Sequence, residues 1–199
     1  MSKSRSSHCA IPASQLLGIE LLRTRDVRAT HRLVIEHVAK IRAACPALAH
    51  CMAVMCLESN LAYEAQHILH AMNEAKVPNW VALSEGQAGT LGWLTTNERK
   101  EAMVFQLRDA LRVGNFMLWE HFFSTTMTEI DALAKIRDEL CRFAIVTEPS
   151  KTLFGKIRKT YTGKLGGMQD DLAITLQLAI TGLRQFYSSA KYANFRGEC

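Results

Sequence analysis

The apolar positions along the chain follow two periods, and the changes between them mark the elements. Residues 11–22 read as a strand around Leu16, Leu17, Ile19, Leu21 and Leu22. Residues 29–44 read as a helix, because Val34, Val38 and Ile41 return to one face at the 3.6-residue period. Pro46 follows and cannot extend it. Residues 51–57 form a continuous apolar run that stops abruptly at Glu58, the pattern of a strand buried on both faces. Residues 60–76 place Ala65, Ile68, Leu69 and Met72 on one helical stripe, and Pro78 ends it. A short strand over 79–84 and a glycine-spaced loop over 85–92 come next. Thr95 and Glu98 then form a capping-box pair for a helix reaching Val113, with Gly114 as its stop. Residues 115–119 suit a strand, and 128–140 a charged amphipathic helix. Residues 142–147 and 156–161 suit a hairpin, and 163–167 a loop. Asp170 opens a last, strongly apolar helix through Phe186.

Strands alternating with helices predict an α/β fold. In such sheets ligand sites lie at the carboxyl ends of strands, which is where Glu58 falls. The 199 residues are 48% hydrophobic and 22% charged, which excludes wholesale disorder and suits one domain with a substantial core. Twenty-four basic against nineteen acidic residues leave +5, a modest excess compatible with an anionic partner. No run approaches the roughly 18 apolar residues of a membrane span. No apolar segment follows the short basic start, so a secretory signal is not expected. The six cysteines contain no CxxC pair and read as buried free thiols of a reducing compartment.

Several chemistries lack their motifs. There is no GxxxxGK[ST] phosphate loop, no GxGxxG and no GxSxG elbow. His67 and His70 lie one helical turn apart, but without an HExxH frame or a third ligand nearby they read as ordinary histidines. Trp80, Trp93 and Trp119 read as core or loop anchors, and Met103, Phe105 and Leu107 as packing residues. The adjacent acids Asp170 and Asp171 are sharper. Helix capping and the helix dipole explain them plainly. Two acids beside a long apolar helix also repel each other and resist desolvation, which a divalent cation relieves. Glu58 is the natural second ligand, and hard carboxylate oxygens point to Mg²⁺ or Mn²⁺ rather than zinc.

Three segments carry a family resemblance. Residues 159–180, KTYTGKLGGMQDDLAITLQLAI, resemble a "TYSGK…DD" loop leading into a last helix. Cys56-Leu57-Glu58-Ser59-Asn60, within 55–72, resembles a strand-ending "E-x-N" motif. Residues 92–114, GWLTTNERKEAMVFQLRDALRVG, are similar to a connector and helix of the form "G…TTN…K…L…AL". Their order and spacing, over residues 11–187, resemble the C-terminal nuclease domain of the large terminase subunit. That is the DNA-packaging protein of herpesviruses and tailed phages. The resemblance implies an RNase H-like mixed sheet flanked by helices. It implies a metal-dependent endonuclease that cuts concatemeric double-stranded DNA during genome packaging. In that family two Mg²⁺ or Mn²⁺ ions sit among three acidic positions. Glu58 matches the second position, and Asp170 or Asp171 the third. Lys164 becomes a phosphate contact. Lys156, Arg158 and Lys159, by default a solvated hairpin face, become DNA-backbone contacts. Implied partners are double-stranded DNA, other terminase subunits and the portal, without a membrane, and an oligomer is compatible. The implied location is intracellular: the host nucleus for a herpesvirus-like protein, the cytoplasm for a phage-like one.

The chain departs from the family pattern at its start. The family's first catalytic aspartate ends the first strand, but residues 15–22 look like the third, and no aspartate precedes Asp26. Glu20 reads as an ordinary strand residue. The expectation is an N-terminally truncated sheet with an open edge on the 51–57 strand, where unpaired backbone groups promote association. Its parts are a disordered or non-native segment 1–10, a nuclease domain 11–190 and a tail 191–199. A non-catalytic fragment or DNA-binding and assembly module of the same fold is the alternative function. A structural α/β protein whose acids only cap a helix is the third.

Overall fold

The structure is a computed structural model and describes residues 14–18, 26–58, 62–84, 92–123, 128–149, 157–164 and 170–195. In chain order its elements are β1 (Ser14–Gly18), α1 (Val27–Ala44), β2 (Ala53–Met55), α2 (Ala62–Glu74), β3 (Trp80–Ala82) and α3 (Asn97–Arg112). Then follow β4 (Phe116–Phe123), α4 (Glu129–Arg142), β5 (Ala144–Pro149), β6 (Ile157–Thr162) and α5 (Asp171–Ser188).

Local chemistry sets the helix ends. α1 starts earlier than its apolar period shows, because Asp26 caps it and accepts from the Arg28 N–H at 2.9 Å. The cap of α3 is Thr96, not Thr95: its Oγ1 accepts from the Arg99 N–H at 3.4 Å. Glu98 therefore does not close a capping box. It lies in the first turn, where a carboxylate complements the helix dipole. Gly114 at φ +71° ends the helix in the left-handed conformation expected of a C′ glycine.

The described strands form three two-stranded ladders. β1 runs parallel to β4, with Ser14 opposite Phe116 and Leu16 opposite Leu118. β2 runs parallel to β3, with Ala53 opposite Trp80 and Met55 opposite Ala82. Past the strand ends, residues 92 and 93 pair with both strands instead, through single parallel bridges of Ser84 to Gly92 and Glu58 to Trp93. β5 and β6 form the expected antiparallel hairpin, Ala144 opposite Thr162 and Pro149 opposite Ile157. Among the described residues, β2 has a strand partner on one edge only.

α5 is the hub. Leu172, Ala173, Ile174, Leu176, Leu178 and Ile180 are all buried, while Asp171, Thr175 and Ala179 form a narrow exposed stripe at a spacing of four. A helix apolar nearly all round must be covered nearly all round. α3 and α4 cover one side, where Leu107, Ala110, Ala132 and Ile136 meet Leu172, Leu176 and Ile180. β2 covers another. A Cβ on Gly182 would lie 2.8 Å from the Cys56 Cβ, so only glycine lets strand and helix approach this closely. Met52 and Val54 pack with Phe186 and Tyr192, while Cys56 reaches Ile174 and Leu178. β2 thus runs antiparallel to α5 and carries Glu58 toward the helix end that bears Asp170 and Asp171.

Three expectations need correction. β2 is half-buried rather than buried on both faces, because a groove of about 330 Å³ opens between it and the Thr175–Ala179 stripe. Phe105 faces outward on α3, with the Arg108 guanidinium 4.7 Å above its ring. Cys45, Cys51 and Cys56 are half-buried and Cys141 is exposed; all four are free thiols. After α5 a 3-10 turn, Ala190–Phe195, follows, and its Tyr192 is buried against Phe186 and accepts from the Ser84 N–H at 3.0 Å.

Candidate functional site

The end of β6 turns directly into the site. Gly163 and Lys164 follow Thr162, and Asp170 directly precedes α5. Asp170 occupies the N-cap position yet makes no side-chain cap. Its carboxylate, 4% exposed, turns instead toward the hairpin. Oδ2 accepts from the Gly163 N–H at 2.9 Å and from the Thr162 hydroxyl at 3.4 Å. Oδ1 faces the Lys164 ammonium at 3.7 Å, beyond hydrogen-bond distance, and accepts no hydrogen bond among the described residues. Gly163 is required by this approach: a Cβ there would lie 2.8 Å from the Asp170 Cβ.

Asp170 is released from capping by a residue that sequence reasoning missed. Glu139, on α4 and 2% exposed, accepts from the Leu172 N–H at 2.8 Å and the Ala173 N–H at 3.1 Å. It supplies the N-terminal cap of α5 from another helix. Its only sequence signal is a glutamate on the apolar face of the amphipathic α4, beside Ala132 and Ile136. Asp171 is exposed in the first turn of α5, where it complements the dipole.

Glu58 is half-buried just past β2. The buried Thr95 hydroxyl donates to its Oε1. The Trp93 N–H donates to the Leu57 carbonyl at 2.6 Å, which ties the segment before α3 to the end of β2. The two consecutive threonines therefore divide their work: Thr96 caps α3 and Thr95 orients Glu58.

Of the basic candidates, Lys164 stands beside Asp170 and is 65% exposed. Lys159 is exposed on β6 opposite Thr147, and the register places Arg158 opposite Glu148. Lys156 lies outside the described residues. On the same strand, Tyr161 is buried and its hydroxyl donates to Glu101 of α3. That hydrogen bond, with burial and the carboxylate's charge, pushes the phenol pKa up to about 12. His67 stacks on His31 with ring centres 5.8 Å apart, and His70 pairs with Glu74 at 3.3 Å.

No family model matches the chain, and no curated protein matches it by sequence. Solved structures do. The Mn-soaked human cytomegalovirus terminase nuclease domain matches with a TM-score of 0.55 at 13% identity, over 90% of this chain and 73% of that one. The Mn-soaked, inhibitor-bound form matches with a TM-score of 0.57 at 13% identity, over 89% and 72%. A third structure of that domain matches with a TM-score of 0.56. The chain has a terminase-nuclease-like, RNase H-like fold. No helix among the described residues is long and apolar enough to cross a membrane.

The donors fit a hard divalent cation in kind. Glu58 and Asp170 are carboxylates fixed by Thr95 and by Gly163, and Oδ1 of Asp170 retains acceptor capacity. The described residues do not gather three His, Cys, Asp or Glu side chains into one group that could hold a metal ion. Glu58, Asp170 and Asp171 therefore do not close a cage among the described residues.

Proposed function

We propose that this chain is the nuclease domain of a viral terminase large subunit, a metal-dependent endonuclease that cuts concatemeric double-stranded DNA. The proposed domain spans residues 11–190, and its proposed partners are DNA, other terminase subunits and the portal. One observation carries this reading. A nearly buried carboxylate stands at the N-cap position of α5, declines to cap, and is held facing away from the helix. Burying a charged group without using it for capping is costly, and such groups concentrate at functional sites.

In this reading Glu58 and Asp170 hold Mg²⁺ or Mn²⁺, with Asp171 as the outer, solvent-facing carboxylate. When bound, the cation supplies Lewis-acid polarisation of the scissile phosphodiester. The chain's own residues do the positioning. Thr95 fixes the Glu58 carboxylate, and Gly163 and Thr162 fix that of Asp170, as outer partners do for metal-binding carboxylates. Lys164 offsets charge beside Asp170 and offers its ammonium to a phosphate, while Lys156, Arg158 and Lys159 follow the DNA backbone. Phosphate contacts of this kind carry no sequence preference, which suits cutting without base readout.

The test is Mn²⁺-dependent nicking of supercoiled plasmid by the purified chain, with Glu58→Ala, Asp170→Asn and Asp171→Asn alongside. Expected are nicking by the parent, its loss in the first two variants and a smaller loss in the third. A folded parent that does not nick shifts the reading to a non-catalytic DNA-binding or assembly module of the same fold.

A further inference from the structure

A cavity with Trp93 in its wall lies between α3 and α5. Its volume is about 150 Å³, far above the ~15 Å³ that one water needs. From α3 it is lined by Arg99 and Gln106, and from α5 by Thr181, Arg184 and Ser188. The lining contains two guanidinium groups and no Asp or Glu. Arg99 is held in place, donating to the Leu94 carbonyl at 3.0 Å with its guanidinium 5.9 Å from the Trp93 ring centre. Arg184 is half-buried and forms no ion pair among the described residues. The Trp93 indole N–H is buried and without a hydrogen-bond partner. An indole N–H can only donate, so the unmet requirement at this wall is for an acceptor. Arg184 and the Trp93 indole both call for an acceptor beside the positive charge of Arg99, and an anion with several acceptor oxygens meets both.

The position of the cavity selects the anion. Trp93 pairs with Glu58 across a parallel bridge, so a residue of the cavity wall and the proposed ligand Glu58 are backbone neighbours. We propose that this pocket takes a phosphodiester group of the bound DNA strand. Arg184 and Arg99 neutralise it, and Trp93 donates one hydrogen bond to it. The choice of DNA as the source of the phosphate rests on the nuclease-domain reading. The donors and the cavity do not depend on it.

The test follows the Trp93 indole N–H resonance in the ¹⁵N-labelled chain, assigned by its loss in Trp93→Phe. Inorganic phosphate and a short DNA duplex are titrated separately. The expected result is that both move this resonance. Arg184→Gln then weakens each response about tenfold, as loss of a charge-assisted hydrogen bond should. It also lowers the logarithmic salt slope of duplex binding by about 0.9, one phosphate's share. Arg184→Lys keeps the charge but loses the planar fork, and is expected to fall between parent and Gln. A resonance that ignores both titrants overturns the proposal. A response to phosphate but not to duplex leaves a free-anion pocket and overturns the DNA assignment. Equal responses in parent and both Arg184 variants overturn the donor assignment. Failure of the nuclease reading is read separately, as absence of Mn²⁺-dependent nicking with the indole response intact.

Discussion

At the residue scale, the meaning of Asp170 depends on Glu139. A carboxylate just before an apolar helix is ordinarily its cap. Here Glu139 already satisfies the Leu172 and Ala173 N–H groups, so Asp170 can face the hairpin instead. Glu139→Ala strands two buried donors and is expected to lower unfolding stability by about 2–3 kcal/mol in urea titration. A neutral Glu139→Ala would mean that Asp170 takes over the cap, and its proposed role would fall with that result. The Trp93 indole and Arg184 pose the same kind of question: a group with an unmet requirement indicates what is to be bound.

At the element scale, the start of α3 joins stability to site geometry through two adjacent threonines. Thr96 serves the helix and Thr95 serves Glu58. Their substitutions should therefore separate. Thr96→Ala is expected to cost about 1 kcal/mol of stability, as loss of a cap does, and to leave plasmid nicking close to the parent rate. Thr95→Val keeps the shape and removes the hydroxyl. It is expected to reduce nicking about 10- to 100-fold, the range for losing an outer partner of a ligand, with a smaller stability change. The two measurements are urea midpoint and nicking rate on the same preparations. Equal behaviour of the two variants would contradict the division. The exposed stripe Asp171, Thr175 and Ala179 on α5 fits the same picture, since the groove beside β2 leaves that side of the helix uncovered.

At the scale of the whole molecule, the hairpin is tied to α3 by Tyr161 and Glu101, sixty residues apart. The folded chain holds the Tyr161 proton more tightly than the unfolded chain, with its pKa raised from 10.0 to about 12. Stability from this contact is therefore fully present below pH 10 and is lost as pH rises from 10 toward 12. The difference in urea midpoint between the parent and Tyr161→Phe should shrink across that window. A difference constant from pH 9 to pH 12 would mean that the phenol does not sense the carboxylate. Because Thr162 and Gly163 follow Tyr161 directly, this tie also fixes the backbone that holds Asp170.

The sequence by itself determined what depends on near neighbours. Apolar periods placed the helices, the hairpin and the nearly all-apolar α5, and the Gly114 stop lay where its dihedral angle requires glycine. It also marked Glu58 at a strand end and the acidic pair at a helix start, because abrupt polarity changes are visible in a linear string. Only the tertiary structure decided which acid turns inward, which residue caps α5, which threonine meets Glu58, and that two arginines and an unpartnered indole share one cavity. It also decided that β2 is half-buried, since burial depends on what covers a strand and not only on its side chains. These decisions rest on contacts between residues far apart in sequence, such as Glu139 with Leu172 and Thr95 with Glu58. Such a contact depends on where two elements are packed against each other, and that position is a property of the assembled core rather than of either segment alone.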